Sequence, residues 1–260
     1  MLTDAQRQAA ADAILKAEQT RVVCSQPSKT WPDMTLEDAY DVQRRWAEAR
    51  IAQGAKIVGR KIGLTSRAMQ QASKMTEPDY GVILDDALFR DGARIAAGTF
   101  IKPRLEVELA FIMAEDLQGA GCHVHDVLRA TEYVTPALEI IDYRTEVPRQ
   151  IVDTIADNAA YGAIVLGGRP VRPFDVDLRW IGATLSQNGA IEETGLSAGV
   201  MGHPAAGLAW LVNKLADQGD GLKKGDIVLG GSFTRPVDIR SGDVIHADYG
   251  PLGGIGVSFE

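Results

Sequence analysis

The chain has 260 residues and a formal net charge of −8, with 45% hydrophobic and 24% charged residues. This composition is that of a globular protein, and the acidic balance argues against a nucleic-acid partner, since binding phosphates requires a basic excess. Apolar runs fall short of the ~20 residues of a membrane span. Only Cys24 and Cys122 carry thiols, which suits a reducing compartment, and we expect the cytoplasm.

The first fifty residues predict helices. Residues 2–21 are rich in helix formers, and residues 34–54 give a stronger signal. Thr35 can cap this second helix, with Asp38 at the acidic position of a capping box. Gly54 can end it. A proline-containing segment, SQPSKTWPDM, links the two helices.

After Gly54 the chain consists of short apolar runs separated by glycine, which predict strands. The predicted strands are KIVGRKIGL, RLEVELAFIM, ALEIIDYR, GAIVLGG, IGATLSQNG, DIVLGGSF and DVIHADYG. Helices are predicted at residues 126–133 and 203–219. Regular β-α-β alternation is missing, so the pattern favours an α+β fold with a helical N-terminal part over a doubly wound fold.

Two acids interrupt the apolar run KPRLEVELAF. If Leu105, Val107 and Leu109 pack into the core, Glu106 and Glu108 project together from the opposite face of the strand. Burying two adjacent carboxylates is costly unless a cation lies between them. An equally open alternative is a strand face in contact with water.

Glu139, within PALEIIDYR, repeats the pattern of one acid inside an apolar strand. Three carboxylates form an oxygen-only donor set, which favours Mg²⁺ or Mn²⁺ over zinc. The four histidines offer no comparable cluster, and the glycine-rich GPLGGIG precedes no helix, so we interpret it as a turn.

Several segments together resemble the fumarylacetoacetate hydrolase superfamily, within it the hydratases and decarboxylases of aromatic meta-cleavage pathways. The segments that carry the resemblance are GRKIGLTSRAMQ, EPDYGVILDD, PRLEVELAF, PALEIIDYR, DNAAYGAIVLGGRP, GHPAAGLAWLVNKL and GGSFTRPV. The resemblance implies a mixed β-roll or barrel of the superfamily's C-terminal type. Residues 1–75 would form the helical N-terminal part and residues 76–260 the catalytic domain.

The resemblance also implies a set of site residues. Glu106, Glu108 and Glu139 would hold Mg²⁺, with Mn²⁺ as a substitute. The KIGLTS and PDYG segments would line the same pocket, making Lys61 and Asp79 the acid and base candidates. Burial and a nearby cation would lower the pKa of Lys61. Candidate hydroxyl contacts to substrate are Thr65, Ser232 and Thr234, whereas Arg104 and Arg235 could pair with a carboxylate.

The activity implied is a hydro-lyase that adds water to a 2-oxo or 2-hydroxy dienoate, with 2-oxohept-4-ene-1,7-dioate the expected substrate and a homo-oligomer the expected assembly. Alternatives are a 2-oxo-3-enedioate decarboxylase of the 4-oxalocrotonate type, a 2-hydroxypenta-2,4-dienoate hydratase, and a non-catalytic scaffold for a pathway enzyme. Asp79 favours hydration, because the related decarboxylases lack the matching acid. The segment between Arg144 and Asp153 looks shorter than in similar hydratases, so it would reshape the distal end of the pocket.

Overall fold

The computed structural model describes residues 1–260, with the side chains of Ala72 and Ala97 left out of the description. The α-helices are α1 (Asp4–Thr20), α2 (Pro27–Thr30), α3 (Leu36–Ala52), α4 (Arg67–Ala72), α5 (Val124–Ala130), α6 (Ile151–Ala156) and α7 (Ala205–Ala216). The β-strands are β1 (Ile57–Gly63), β2 (Asp79–Leu84), β3 (Leu88–Arg90), β4 (Ala93–Ile95), β5 (Arg104–Met113), β6 (Leu117–Gln118), β7 (Thr131–Ile141), β8 (Tyr161–Leu166), β9 (Gly182–Gln187), β10 (Ala190–Leu196), β11 (Gly221–Leu222), β12 (Ile227–Leu229), β13 (Val237–Asp238), β14 (Val244–Asp248) and β15 (Gly254–Phe259). The predicted α+β class with a helical N-terminal part is confirmed.

The N-terminal helices form a small layer of their own. The predicted capping box of α3 is present, since the Thr35 side chain accepts from the backbone N–H of Asp38 and the Asp38 carboxylate accepts in return from the Thr35 N–H. Ile14 of α1 and Trp46 of α3 are buried in one cluster with Ile155 of α6. Burial of these apolar side chains fixes the helical layer against the strands.

Two sheets make up the body of the protein. The larger has the strand order β2-β1-β12-β5-β7-β8-β3, with β13 paired to β5, and the smaller has the order β10-β9-β14-β15-β4. Leu105, Val107 and Leu109 of β5 lie in one core cluster with Ile245 and Val257 of the smaller sheet. Over the described residues the sheets do not close into a barrel.

The larger sheet draws on both sides of the predicted division at residue 75. Strand β1 pairs with β2 and with β12, so it is an integral part of this sheet although it precedes the division. The division into residues 1–75 and 76–260 stays a prediction. Across the described chain, we find no helix that combines the length and apolar character required to cross a membrane.

The helix predicted at residues 126–133 extends too far. Helix α5 ends at Ala130, and Thr131 already begins β7, where Thr131 and Tyr133 pair with Met113 and Ile112 of β5. The β-branched and aromatic side chains of this segment favour the strand. Elements that were not predicted include α4, α6, β2, β10 and β15.

Candidate metal centre and active site

The three acids singled out in the sequence lie together on one face of the larger sheet. Glu106 and Glu108 alternate with the buried Leu105 and Val107 along β5, and the antiparallel register pairs Glu106 directly with Glu139 of β7. One carboxylate oxygen from each acid lies within 4.8 Å of the other two. The expected convergence of the three side chains is therefore observed.

This cluster carries more negative charge than its surroundings can stabilise alone. Glu108 and Glu139 are each 1% exposed, and Glu106 is half-buried. Burial, followed by the neighbouring Glu139 carboxylate, raises the pKa of Glu106 to about 7. The same two causes raise the pKa of Glu108 well above its ordinary value. The backbone N–H of Gly231 donates to Glu108 Oε2 at 2.9 Å and Lys61 pairs with Glu139, but one amide and one ammonium group do not offset three carboxylates.

A divalent cation relieves this repulsion, and the donor set fits one. Three carboxylates and no nearby thiolate or imidazole suit a hard ion such as Mg²⁺, Mn²⁺ or Ca²⁺. The cluster is the one group of metal-ligating side chains that meets the geometric requirement among the described residues. Its assignment as the metal site stays a prediction that the geometry supports.

We expect the raised pKa of Glu106 to make the metal-free protein less stable at higher pH. Between about 4.5 and about 7 the folded state keeps a proton that the unfolded chain has released. The stability contributed by this proton is therefore lost as the pH rises through this interval, by an amount on the order of 1–3 kcal/mol. Urea unfolding in EDTA across this range measures the effect.

The matched comparison for this pH effect is Glu106→Gln, which keeps the shape of the protonated acid. The free energy of unfolding of the wild type minus that of the variant should fall with pH, because the variant lacks the carboxyl group that titrates in this interval, and groups remote from Glu106 cancel in the difference. A difference that rises with pH would contradict the expected pKa shift.

Lys61 projects from β1 toward the triad. Its side chain is 4% exposed, and its Nζ lies 2.8 Å from Glu139 Oε1 and donates to the Ala159 carbonyl at 2.6 Å. Ala159 is held at a positive φ of 50°, in a left-handed turn that aims this carbonyl at the ammonium group. Lys61 is thus fixed beside one of the three carboxylates.

Without a bound cation, the pKa of Lys61 shifts upward, whereas the sequence-based expectation of a lowered pKa assumed a cation beside it. Burial lowers the pKa of Lys61, but the negative charges of Glu139 and Asp79 raise it by more, so the net shift is upward. The expectation of a lowered pKa considered burial and a cation, but not the direct ion pair with Glu139.

Asp79 begins β2, next to β1 in the sheet, and faces the same region. It is buried, and burial raises its pKa. Among the described residues no hydrogen-bond donor reaches its Oδ1. A Cβ at Gly63, its register partner, would lie 2.2 Å from this oxygen, so glycine at this position leaves room for the Asp79 carboxylate. Asp79 therefore offers a free acceptor beside Lys61.

The three predicted hydroxyl contacts line the same cavity as the triad. Thr65 packs so closely against Gly231 that a Cβ at this glycine would lie 2.3 Å from the Thr65 hydroxyl oxygen. Ser232 donates to the Thr234 carbonyl at 2.9 Å, and Thr234 accepts from the Val107 N–H at 3.2 Å. Ser232 is thus committed to its own loop, whereas the Thr234 hydroxyl keeps its proton free to donate. Contact of these groups with substrate stays a prediction.

The cleft has two lobes that meet at Lys61 and Glu106. We call the first, of about 540 Å³, the triad lobe; among the residues that line it are Lys61, Thr65, Glu106, Glu108, Glu139, Ser232, Thr234 and Arg235. We call the second, of about 770 Å³, the distal lobe; among the residues that line it are Lys61, Lys74, Asp79, Glu106, Tyr143, Arg149 and Gln150. Both volumes suit a small-molecule ligand.

The two arginines named from sequence have other partners. Arg235 is 85% exposed and pairs with Glu193 at 2.7 Å, and Arg104 pairs with Asp238 at 3.0 Å. Arg149 was not named, although it lies in the segment expected to shape the distal end of the pocket. No local pattern distinguishes Arg149, because the residues that surround it come from distant parts of the chain.

The chain is similar in sequence to known hydratases. No family model matches the chain. The chain is 53% identical to 2-oxo-hept-4-ene-1,7-dioate hydratase of Escherichia coli over 251 residues, which cover 94% of each protein. It is 36% identical to 2-keto-4-pentenoate hydratase of Paraburkholderia xenovorans, covering all of this chain and 97% of that protein.

Solved structures agree with these sequence similarities. The 4-oxalocrotonate decarboxylase of Pseudomonas putida G7, complexed with magnesium and adipate, superposes with a TM-score of 0.97 at 36% identity, covering 100% of this chain and 99% of that one. A yeast protein of the fumarylacetoacetate hydrolase family shares the fold, with a TM-score of 0.56 at 16% identity over 77% of this chain and 91% of its own.

Proposed function

The chain belongs to the hydratase and decarboxylase branch of the fumarylacetoacetate hydrolase superfamily, and on this premise we propose that it is a hydratase acting on 2-oxohept-4-ene-1,7-dioate. The substrate would react as its 2-hydroxy-2,4-dienoate tautomer, and the product is a 4-hydroxy-2-oxo acid. The observation that carries the proposal is the convergence of Glu106, Glu108 and Glu139 beside Lys61 and Asp79. The 53% identity to the E. coli hydratase supports the choice of substrate.

We propose Mg²⁺ as the ion held by the three glutamates, with Mn²⁺ as a substitute. The oxygen-only donor set and the uncompensated charge of the cluster support this assignment. When bound, such an ion supplies Lewis-acid polarisation of the 2-oxo group and stabilises negative charge on its oxygen. The 2-oxo acid end of the substrate then belongs in the triad lobe, where Thr65 and Thr234 can donate to its oxygens.

Lys61 and Asp79 divide the proton transfers in this proposal. From the 2-hydroxy-2,4-dienoate, the 2-hydroxyl group loses a proton and C5 gains one, which gives a conjugated 2-oxo-3-ene. Water then adds at C4 and loses a proton, while C3 gains one. Lys61 Nζ carries protons and is held at a fixed position by Glu139 and the Ala159 carbonyl, so we assign it to protonate carbon. Asp79 Oδ1 is a buried acceptor without a donor among the described residues, so we assign it to accept the proton of water.

Decarboxylation is the second candidate, favoured by the TM-score of 0.97 to a 4-oxalocrotonate decarboxylase. An ion held by the same three glutamates would stabilise the enolate left by loss of CO₂. Hydration additionally requires a group that activates water. Asp79 fills this role, and its presence favours the hydratase.

The deciding experiment follows consumption of the dienol by absorbance, using dicarboxylate and monocarboxylate dienols with and without EDTA. We expect turnover of the seven-carbon dicarboxylate to a 4-hydroxy-2-oxo acid, and its loss when EDTA removes the ion. The monocarboxylate control is 2-hydroxypenta-2,4-dienoate. Release of CO₂ from a 2-oxo-3-enedioate without hydration would favour the decarboxylase, and activity that survives EDTA would contradict a metal-dependent mechanism.

Turnover by the purified chain alone would also exclude a purely scaffolding role. A cytoplasmic location and a homo-oligomeric assembly remain proposals. The location is supported by Cys24 and Cys122, which are both free thiols in the structure.

A further inference from the structure

Arg149 presents a fixed positive charge to the distal lobe. Its side chain is 9% exposed and lines the lobe that Lys61, Asp79 and Glu106 share. The guanidinium lies over the ring of Tyr143, 3.6 Å from the ring centroid. Stacking on an aromatic face holds the guanidinium plane in place and leaves its edge free to donate hydrogen bonds.

The protein itself compensates this charge weakly. In the described chain the acidic partner of Arg149 is Asp157, at 3.5 Å from Nη1. Charge-assisted hydrogen bonds are normally about 2.7–2.9 Å long. Asp157 is already bound by Arg144, whose backbone N–H donates at 2.9 Å and whose Nε donates to the other carboxylate oxygen. Arg149 therefore keeps donors available for an anionic ligand, and a buried arginine without a full partner is costly.

The two lobes differ in the charges that line them. The triad lobe contains the three carboxylates, which suit a cation and the 2-oxo acid bound to it, whereas the distal lobe contains Arg149 and Lys74. A linear substrate anchored in the triad lobe would pass Lys61 and Asp79, which line the junction and the distal lobe. Its other end then meets a cationic site.

Resting on the proposed function, we infer that Arg149 binds the second carboxylate of a linear dicarboxylate substrate and so sets the preference for dicarboxylates over monocarboxylates. The planar guanidinium can donate two parallel hydrogen bonds to a carboxylate. Arg235 is the competing candidate in the triad lobe, but it is exposed to solvent and already paired with Glu193.

The test compares Arg149→Gln with the wild type on the two dienols of the deciding experiment. We expect kcat/KM for the dicarboxylate to fall roughly 10- to 150-fold, as for loss of hydrogen bonds to a charged group, with the main change in KM. The rate with the monocarboxylate should fall by much less, since it places no charge at Arg149 and is affected only through the influence of Arg149 on the pKa of Asp79. Arg149→Lys keeps the positive charge but lacks the planar guanidinium, so its kcat/KM for the dicarboxylate should lie between those of the wild type and Arg149→Gln.

A binding measurement checks the same inference without catalysis. Isothermal titration of Mg²⁺-loaded protein with heptanedioate and heptanoate compares two probes of equal length that differ in one carboxylate. Wild-type protein should bind heptanedioate more tightly, and Arg149→Gln should lose that preference. Arg94→Gln, which removes an arginine that is 77% exposed and lies outside both lobes, is the matched control.

The outcomes separate this inference from the proposed function. If wild-type protein hydrates neither dienol, the proposed function fails, while the comparison of heptanedioate with heptanoate still tests Arg149. If Arg149→Gln and Arg149→Lys each lost affinity for heptanedioate and heptanoate equally, the inference would be overturned. So would loss of the dicarboxylate preference in Arg235→Gln instead. Thermal unfolding of each variant identifies any loss of binding caused by misfolding. If Arg149→Gln is misfolded, the inference is tested with Arg149→Lys.

Discussion

Replacing Glu106 by glutamine is expected to lower kcat/KM for hydration by on the order of 10³-fold or more while the protein stays folded. The amide removes one of three negative charges that hold the cation, and Lewis-acid stabilisation contributes several kcal/mol, each 1.36 kcal/mol of which is tenfold in rate. The fold should tolerate the change, because the environment of Glu106 already favours the neutral form and raises its pKa to about 7.

Steady-state kinetics and titration with Mg²⁺ measure this effect, and Glu132→Gln provides the control. Glu132 is an exposed acid on β7, the same strand as Glu139, so its replacement removes the same charge without touching the triad. We expect wild-type rate and Mg²⁺ binding for this control. A Glu106→Gln protein that retained the wild-type rate and metal stoichiometry would remove Glu106 from the metal centre.

The strand that carries the first two acids could be predicted from sequence, since its pattern is local. Alternation along a strand has a period of two, so burial of Leu105 and Val107 dictates that Glu106 and Glu108 share the opposite face. The pairing of Glu106 with Glu139 could not be derived in the same way. Strand register depends on which segments meet in the fold, and a shift of one residue would turn Glu139 to the other face.

The features that sequence reasoning missed are contacts between distant segments. The ion pair of Lys61 with Glu139 joins β1 to β7 across the sheet and, with no cation bound, raises the pKa of Lys61. Similarly, the orientation of Arg149 depends on stacking with Tyr143 and on Asp157 being bound by Arg144. Residue types and spacing identified the acids, but the charge balance around them required the folded arrangement.

Replacing Lys61 by methionine is expected to lower kcat about 10²- to 10⁴-fold, the usual contribution of a general acid or base. The methionine side chain has a similar length but no ionisable proton, so the ammonium group beside Glu139 is lost. Mg²⁺ binding should persist, because the three carboxylates remain. Metal-free Lys61→Met protein should also be less stable by about 3–5 kcal/mol, since Glu139 is left as a buried charge without its partner.

Lys61→Arg separates the proton transfer from the ion pair. Arginine keeps a positive charge near Glu139 but does not give up its proton in proteins, so the variant should regain stability relative to Lys61→Met without regaining the hydration rate. Rates, Mg²⁺ affinity and urea unfolding are compared with Lys29→Met, a control at a lysine side chain that is 70% exposed. Hydration by Lys61→Arg at the wild-type rate would refute proton transfer by Lys61 and leave it the role of orienting Glu139. A Lys61→Arg protein that regains stability but not the hydration rate would support proton transfer by Lys61 Nζ.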